Sequence, residues 1–225
     1  MKGIICLFLC IIIIFGCSNK KATLSPKERP PEELMQEGMD LFQKGKFDQA
    51  IKVFQYVRDT FPFTPHAILA ELKLADAYYY NSDYESAVAA YQEFEKLHPK
   101  NENIPHVLYQ IGLCYFQRIL SIDRDQTMTK KALSAFKRVV LEYPESHYAK
   151  RAIVKIKACR EKLARHEFYV GRFYYRTHQY KSALLRFRNV ITDYSDLPIA
   201  HKAQHYLDIC VDKLKKRGGL AQPSS

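Results

Sequence analysis

Glycine and proline are sparse, at 8 and 10 of 225 residues, which excludes collagen-like and proline-rich stalk architectures. No apolar run is long enough to cross a bilayer. The longest, Ile4 to Phe15, has 12 residues, against the ~20 that a helix needs to span the hydrocarbon. Period-2 alternation is nearly absent beyond Glu32, which argues against a sandwich or barrel. There is no CxxC pair or Cys/His spacing of a metal site. There is also no nucleophile elbow, P-loop or dinucleotide fingerprint. What the chain has is apolar and aromatic bulk: 47% of residues are apolar, with 16 Tyr and 13 Phe, enough to build a core and to exclude general disorder. It also carries a net charge of +11, which by itself would suggest nucleic acid.

The N-terminus argues for export and so against nucleic acid. Met1-Lys2-Gly3 is a short basic segment, the 12-residue apolar run follows, and the run closes on Ile14-Phe15-Gly16-Cys17. This fits a secretory signal peptide and resembles a bacterial lipobox. The resemblance implies diacylglycerol on the Cys17 sulfur, cleavage before Cys17 and acylation of the new amine, palmitate being the usual chain. Three acyl chains exceed the two signals that stable anchoring needs. By the same resemblance, the absence of Asp after Cys17 directs the protein to the outer membrane. Residues 1–16 are then the signal peptide, and 17–31 the lipidated cysteine and a tether bearing Pro26, Pro30 and Pro31. Of the six cysteines, Cys6 and Cys10 leave with the signal and Cys17 takes lipid. Cys114, Cys159 and Cys210 remain, in helical segments, and are expected to behave as small buried hydrophobes.

From Glu32 onward, apolar residues recur every three or four positions, and a repeat emerges. Gly38, Leu41, Phe47, Ala50, Phe54 and Pro62 recur 37 residues later as Ala75, Tyr78, Tyr84, Ala87, Tyr91 and Pro99. Gly112, Tyr115, Ala132, Phe136, Val139 and Pro144 form a third copy. Gly171, Tyr174, Tyr180, Ala183, Phe187 and Val190 form a later one. The pattern resembles the tetratricopeptide unit, in which a small residue in the first helix is expected to face one in the second while aromatics fill the space around them. Proline ends the unit because it cannot continue a helix. Phe61-Pro62, His98-Pro99, Tyr143-Pro144 and Leu197-Pro198 are expected to mark such ends, and Lys44-Gly45-Lys46 and Asn81-Ser82-Asp83 tight turns. The third unit carries about eight extra residues, 121–128. The stretch His147 to Arg165 reads as the first helix of a degenerate fourth unit running into the next, and Ile199 to Lys216 as a closing helix. The expected fold is all-α: a right-handed superhelical solenoid of about five helix pairs, or about ten helices. Residues 32–145 form N-terminal units, 146–217 form C-terminal units with the closing helix, and 218–225 are a disordered tail.

A lipobox, a short tether and about five such units resemble the BamD-type lipoproteins of the outer-membrane β-barrel assembly machinery. The strings Phe61-Pro62-Phe63, Asp76-Ala77-Tyr78-Tyr79-Tyr80, Asp123-Arg124-Asp125-Gln126, Tyr143-Pro144-Glu145-Ser146 and Leu163-Ala164-Arg165-His166-Glu167 carry the resemblance. It implies a lipid-anchored scaffold on the periplasmic face of the outer membrane. Its partners would be the POTRA domains of a barrel-forming protein, accessory lipoproteins and unfolded outer-membrane proteins. The other reading is a different envelope lipoprotein with the same repeats, such as a secretin pilot or a cell-wall organiser. Neither reading calls for a catalytic residue, a metal or a cofactor beyond the lipid on Cys17. His201 and His205 lie four apart but lack the intervening Glu of a zinc motif and a third ligand. Asp123, Asp125 and Gln126 lack the Gly and terminal Glu of a calcium loop, and are better read as a loop bonding its own backbone.

Two surfaces are candidate sites. First helices of such repeats face an inner groove, and Phe42, Tyr79, Tyr80, Tyr109 and Phe116 fall on that face, where aromatic rings would suit an extended peptide. Packing between neighbouring units is the alternative role for the same rings. The second surface is basic. Residues 1–149 hold 18 basic and 18 acidic side chains, whereas 150–217 hold 17 and 6, so the whole excess lies in the last third, where its targets would be an acidic protein surface or phospholipid head groups. By the resemblance, that third docks on the barrel-forming partner, with Arg186 as first candidate and Arg172, Arg176 and Arg188 behind it.

Overall fold

The computed structural model describes residues 29–219, with side chains through Lys216. Cys17, the signal segment and most of the tether lie outside the described residues. Among the described residues nine helices run in order: α1 (Pro31–Gln43), α2 (Phe47–Thr60), α3 (Pro65–Tyr80), α4 (Tyr84–Leu97), α5 (Ile104–Gln117), α6 (Thr127–Glu142), α7 (His147–Arg176), α8 (Tyr180–Asp193) and α9 (Ile199–Gly219). No strand occurs among the described residues. Each helix packs on the next. In addition α1 touches α3, α5 touches α7 and α7 touches α9, so the odd-numbered helices share the inner side of the solenoid.

Local chemistry sets the boundaries. Proline occupies the first turn of α1, α3 and α5, where no backbone donor is lost. Thr64, Asp83 and Ser146 cap α3, α4 and α7, each side-chain oxygen accepting from a backbone N–H three residues on. Pro62, Pro99 and Pro144 lie one residue beyond the C-caps Phe61, His98 and Tyr143. Pro198 differs: α8 already ends at Asp193, with Tyr194 as its C-cap, and this proline immediately precedes α9.

The repeat positions form the core. Ala50, Ala87, Ala132 and Ala183 are fully buried, as are Phe54, Tyr91, Phe136 and Phe187. In three of the first helices the small residue lies directly against the aromatic of its partner helix. A Cβ on Gly38 would lie 2.5 Å from Phe54 Cε1, one on Gly112 2.5 Å from Phe136 Cε1, and one on Gly171 2.7 Å from Phe187 Cε1. Glycine there admits an aromatic ring edge-on, and that contact sets how closely the paired helices approach.

The tight turns also repeat. Gly45, Ser82 and His178 occupy corresponding positions at φ 71°, 62° and 60°, and the following N–H bonds back to Leu41, Tyr78 and Tyr174. The third unit has the insert instead. The expectation of a self-bonded loop holds. Gln126, buried, donates through Nε2 to the carbonyls of Ser121 and Arg124 at 2.9 Å, and its Oε1 accepts from Thr129. His166 Nδ1 donates to the Ile122 carbonyl at 2.6 Å, which pins the loop to α7.

That the described residues form nine helices rather than ten follows from α7. No turn triad interrupts residues 147–176, so the degenerate fourth unit contributes only the N-terminal half of this 30-residue helix, and the next unit begins on its C-terminal half. The three remaining cysteines are free and buried. Burial pushes the Cys114 thiol up to about 12 and the Cys159 thiol up to about 11, so both stay protonated and inert.

Candidate functional site

The inner face carries an aromatic cluster where α1 and α3 end. Phe42 and Tyr80 meet edge to face at 5.3 Å, Phe47 stacks on Tyr80 at 5.8 Å, and Tyr79 meets Tyr80 at 5.3 Å and Tyr84 at 5.7 Å. Gln117 reaches from α5 to the Tyr79 hydroxyl at 3.4 Å. Tyr80 keeps 53% of its surface exposed, while Phe42 and Tyr79 are half-buried. Three of the five expected groove rings therefore form one partly open cluster. Phe47 and Tyr84, which read as packing aromatics in the sequence, complete it, because the turn between paired helices folds them back over the first-helix ends.

Tyr109 departs from expectation. It is 3% exposed, its ring lies 5.5 Å from Phe136 and 5.6 Å from Tyr148, and the Arg151 guanidinium covers it at 4.8 Å. Its role is packing between α5, α6 and α7. Phe116 is half-buried, with Lys155 Nζ 4.3 Å from its centroid and Phe136 at 6.2 Å.

Between these regions lies a buried carboxylate. Asp76 on α3 accepts from Tyr91 Oη at 2.6 Å and Lys73 Nζ at 2.8 Å, and meets His106 Nε2 at 3.0 Å. Burial alone would raise its pKa. The His106 bond and the Lys73 charge outweigh burial and hold it below the usual aspartate value. Tyr91 is driven well above its ordinary range by burial and by the adjacent carboxylate.

The basic end is built on α7 and α8. Arg172, Arg176 and Arg188 are exposed and join no ion pair among the described residues. Arg186 is half-buried and pairs with Glu167 at 3.0 Å. It borders a cleft of about 400 Å3 shared with the insert residues Asp123, Arg124 and Asp125. Tyr169, Arg172, Phe173 and Arg176 fall at i, i+3, i+4 and i+7 and so share one face of α7. Tyr169 and Phe173 are 39% and 48% exposed. Those two rings went unnoticed in the sequence because aromatic residues at helical spacing usually pack inward. His201 and His205 are both exposed, and no group of three metal-ligating side chains occurs among the described residues.

A stack of helical hairpins with an aromatic inner face and a basic end is a helical solenoid of tetratricopeptide type. Its fold is similar to that of the "TPR2AB-domain:pHSP90-complex of yeast Sti1", with a TM-score of 0.53 and 15% identity over 82% of this chain and 70% of that one. A narrower kinship follows from the sequence. The profile of the YfiO family, described as "Outer membrane lipoprotein", matches residues 27–222, and the chain belongs to that family. An outer membrane protein assembly factor BamD from Caulobacter vibrioides is 32% identical, covering 92% of this chain and 70% of its own. The protein of that name from Neisseria gonorrhoeae is 28% identical, covering 89% and 79%. Among the described residues no helix is long and apolar enough to cross a membrane.

Proposed function

We propose that this protein is a scaffold of outer-membrane β-barrel assembly, held at the periplasmic face of the outer membrane by lipid on Cys17. Family membership over residues 27–222 carries the reading. The open cluster of Phe42, Tyr79 and Tyr80 supports a groove for extended segments of unfolded barrel proteins. Arg172 and Arg176, which share a face of α7 with exposed Tyr169 and Phe173, have the Arg-plus-aromatic composition of an interface centre. They support docking on an acidic face of the partner's POTRA domains.

Purification in mild detergent with identification of co-purifying proteins tests the assignment. Recovery of a POTRA-bearing barrel protein is the expected result, and its absence would remove the assembly role. Photo-crosslinkers at Tyr79 and Tyr80 should capture barrel-protein segments. Equal capture from exposed Lys137 on α6 would show that the inner face has no special part. Mass measurement should find the mature chain beginning at an acylated Cys17; an intact Cys17 thiol in exported protein would rule the anchor out.

A further inference from the structure

On the inner side of the solenoid two cations of α7 lie against the rings of α5. Arg151 rests on Tyr109 at 4.8 Å and on Tyr148 at 6.0 Å, and Lys155 sits over Phe116 at 4.3 Å. Neither joins an ion pair among the described residues. Elsewhere the arginines that reach from one helix to another segment have carboxylates: Arg138 holds Glu95, Arg160 holds Asp196 and Arg186 holds Glu167. The inner pair is held by ring faces instead, and no carboxylate of the described residues pairs with it.

Ring contact leaves these cations able to bind. A guanidinium face lying on a tyrosine keeps its N–H donors, which point outward in the guanidinium plane, free for a carboxylate. Arg151 is exposed. The aromatic support also restricts both long side chains beforehand, so less rotamer freedom is lost when a ligand arrives. Spacing narrows the ligand further. Residues 151 and 155 are one helical turn apart, about 6 Å along the axis. Alternate side chains on one face of an extended chain are about 6.6 to 6.8 Å apart. An extended segment laid along α7 would thus set two carboxylates, at positions i and i+2, against the two cations.

We infer that Arg151 and Lys155 form a subsite for an extended peptide segment carrying acidic side chains at alternate positions. The inference rests on the reading of the inner face as a groove for unfolded clients and adds a charge requirement to its aromatic one.

The test is fluorescence anisotropy on the full chain with dye-labelled 12-residue peptides. One has two Glu at alternate positions in a Ser/Thr/Tyr background. A second has Gln at those positions, a third has adjacent Glu, and a fourth is a cross-linked helix with Glu four apart. At low salt the alternating peptide should bind at least tenfold tighter than the Gln peptide. The double variant Arg151→Gln, Lys155→Gln should reduce that preference to less than twofold while leaving the Gln peptide's affinity unchanged. The exchange Arg151→Lys, Lys155→Arg keeps both charges and should retain the preference, which separates charge from packing on Tyr109 and Phe116.

Persistence of the preference in the double variant would overturn the inference. So would equal binding of the adjacent-Glu peptide, or tighter binding of the helical one. Binding of the neutral and acidic peptides with equal affinity would end this inference and leave the groove reading standing. Binding of none would end both.

Discussion

Arg186 Nη1 on α8 straddles the carboxylate of Glu167 on α7, at 3.0 and 3.2 Å from its two oxygens. The side chain that the family resemblance singles out for docking is therefore already engaged within the chain. Both partners retain solvent contact, at 37% and 22% exposure, and such a pair contributes about 1 kcal/mol or less. An incoming carboxylate can displace Glu167 at small cost. Arg186→Glu should reduce recovery of the POTRA-bearing partner at least tenfold with helicity by circular dichroism unchanged. Glu167→Gln, which frees Arg186, should leave recovery equal or raise it. Equal loss in both variants would show that the pair only sets the α7–α8 packing.

Gly38 and Phe54 give a stability prediction. Phe54 is fully buried, and a methyl on Gly38 would lie 2.5 Å from its ring. Gly38→Ala must then shift a side chain that has little room to move, at a cost of about 1–3 kcal/mol, read as an earlier midpoint in urea. Gly112→Ala against Phe136 should behave alike. An unchanged midpoint in both would mean the paired helices can slide apart freely.

The same residues show what the sequence could reveal. The recurrence of Gly38, Ala50 and Phe54 at Ala75, Ala87 and Tyr91 is a packing requirement, so periodicity located the helix pairs that keep the pattern, two of their tight turns and their shared buried positions. Tyr109 was misplaced because the inner and inter-unit faces of a first helix are adjacent. Arg151, which covers its ring, comes from a helix 42 positions further along the chain. Glu167 as the partner of Arg186, and His166 as the anchor of the insert, are pairings across helices that no local spacing encodes. The length of α7 was half legible: residues 147–165 read as a first helix running into the next unit, but the expectation of about ten helices still required a break that this helix does not have.

Ser82 occupies the left-handed region at φ 62°, where the corresponding residue of the first unit is Gly45 at 71°. A Cβ is disfavoured there by roughly 1 kcal/mol, partly offset by glycine's extra freedom in the unfolded chain. Ser82→Gly should therefore raise the melting temperature by about 1–3 °C, following the usual scaling for a domain of this size. Gly45→Ala should lower it, although nothing lies within 4 Å of its Cβ position. A lower melting temperature for Ser82→Gly would mean the serine side chain contributes more than its backbone costs.

Asp76 provides a pH signature that packing alone would not. Its carboxyl is buried and still ionises more readily than usual, because Lys73 and the bond from His106 stabilise the anion more than burial opposes it. A depressed folded pKa means the unfolded chain binds the proton more tightly. The contribution to stability is therefore fully present above the ordinary aspartate value of 3.8 and is lost as pH falls through the lower folded value. Asp76→Asn removes the charge that answers Lys73, and one amide oxygen cannot serve Tyr91, His106 and Lys73 together. At neutral pH the variant should lose about 2–4 kcal/mol, in the range for breaking a buried charged network. In urea titrations from pH 5 to pH 3, below the ordinary histidine range, the gap between the parent protein and Asp76→Asn should hold down to about pH 4 and then narrow, since the parent loses its anion while the variant has none to lose. A gap that stayed constant to pH 3 would mean that Asp76 acts through its shape and hydrogen bonds, with no share from its charge.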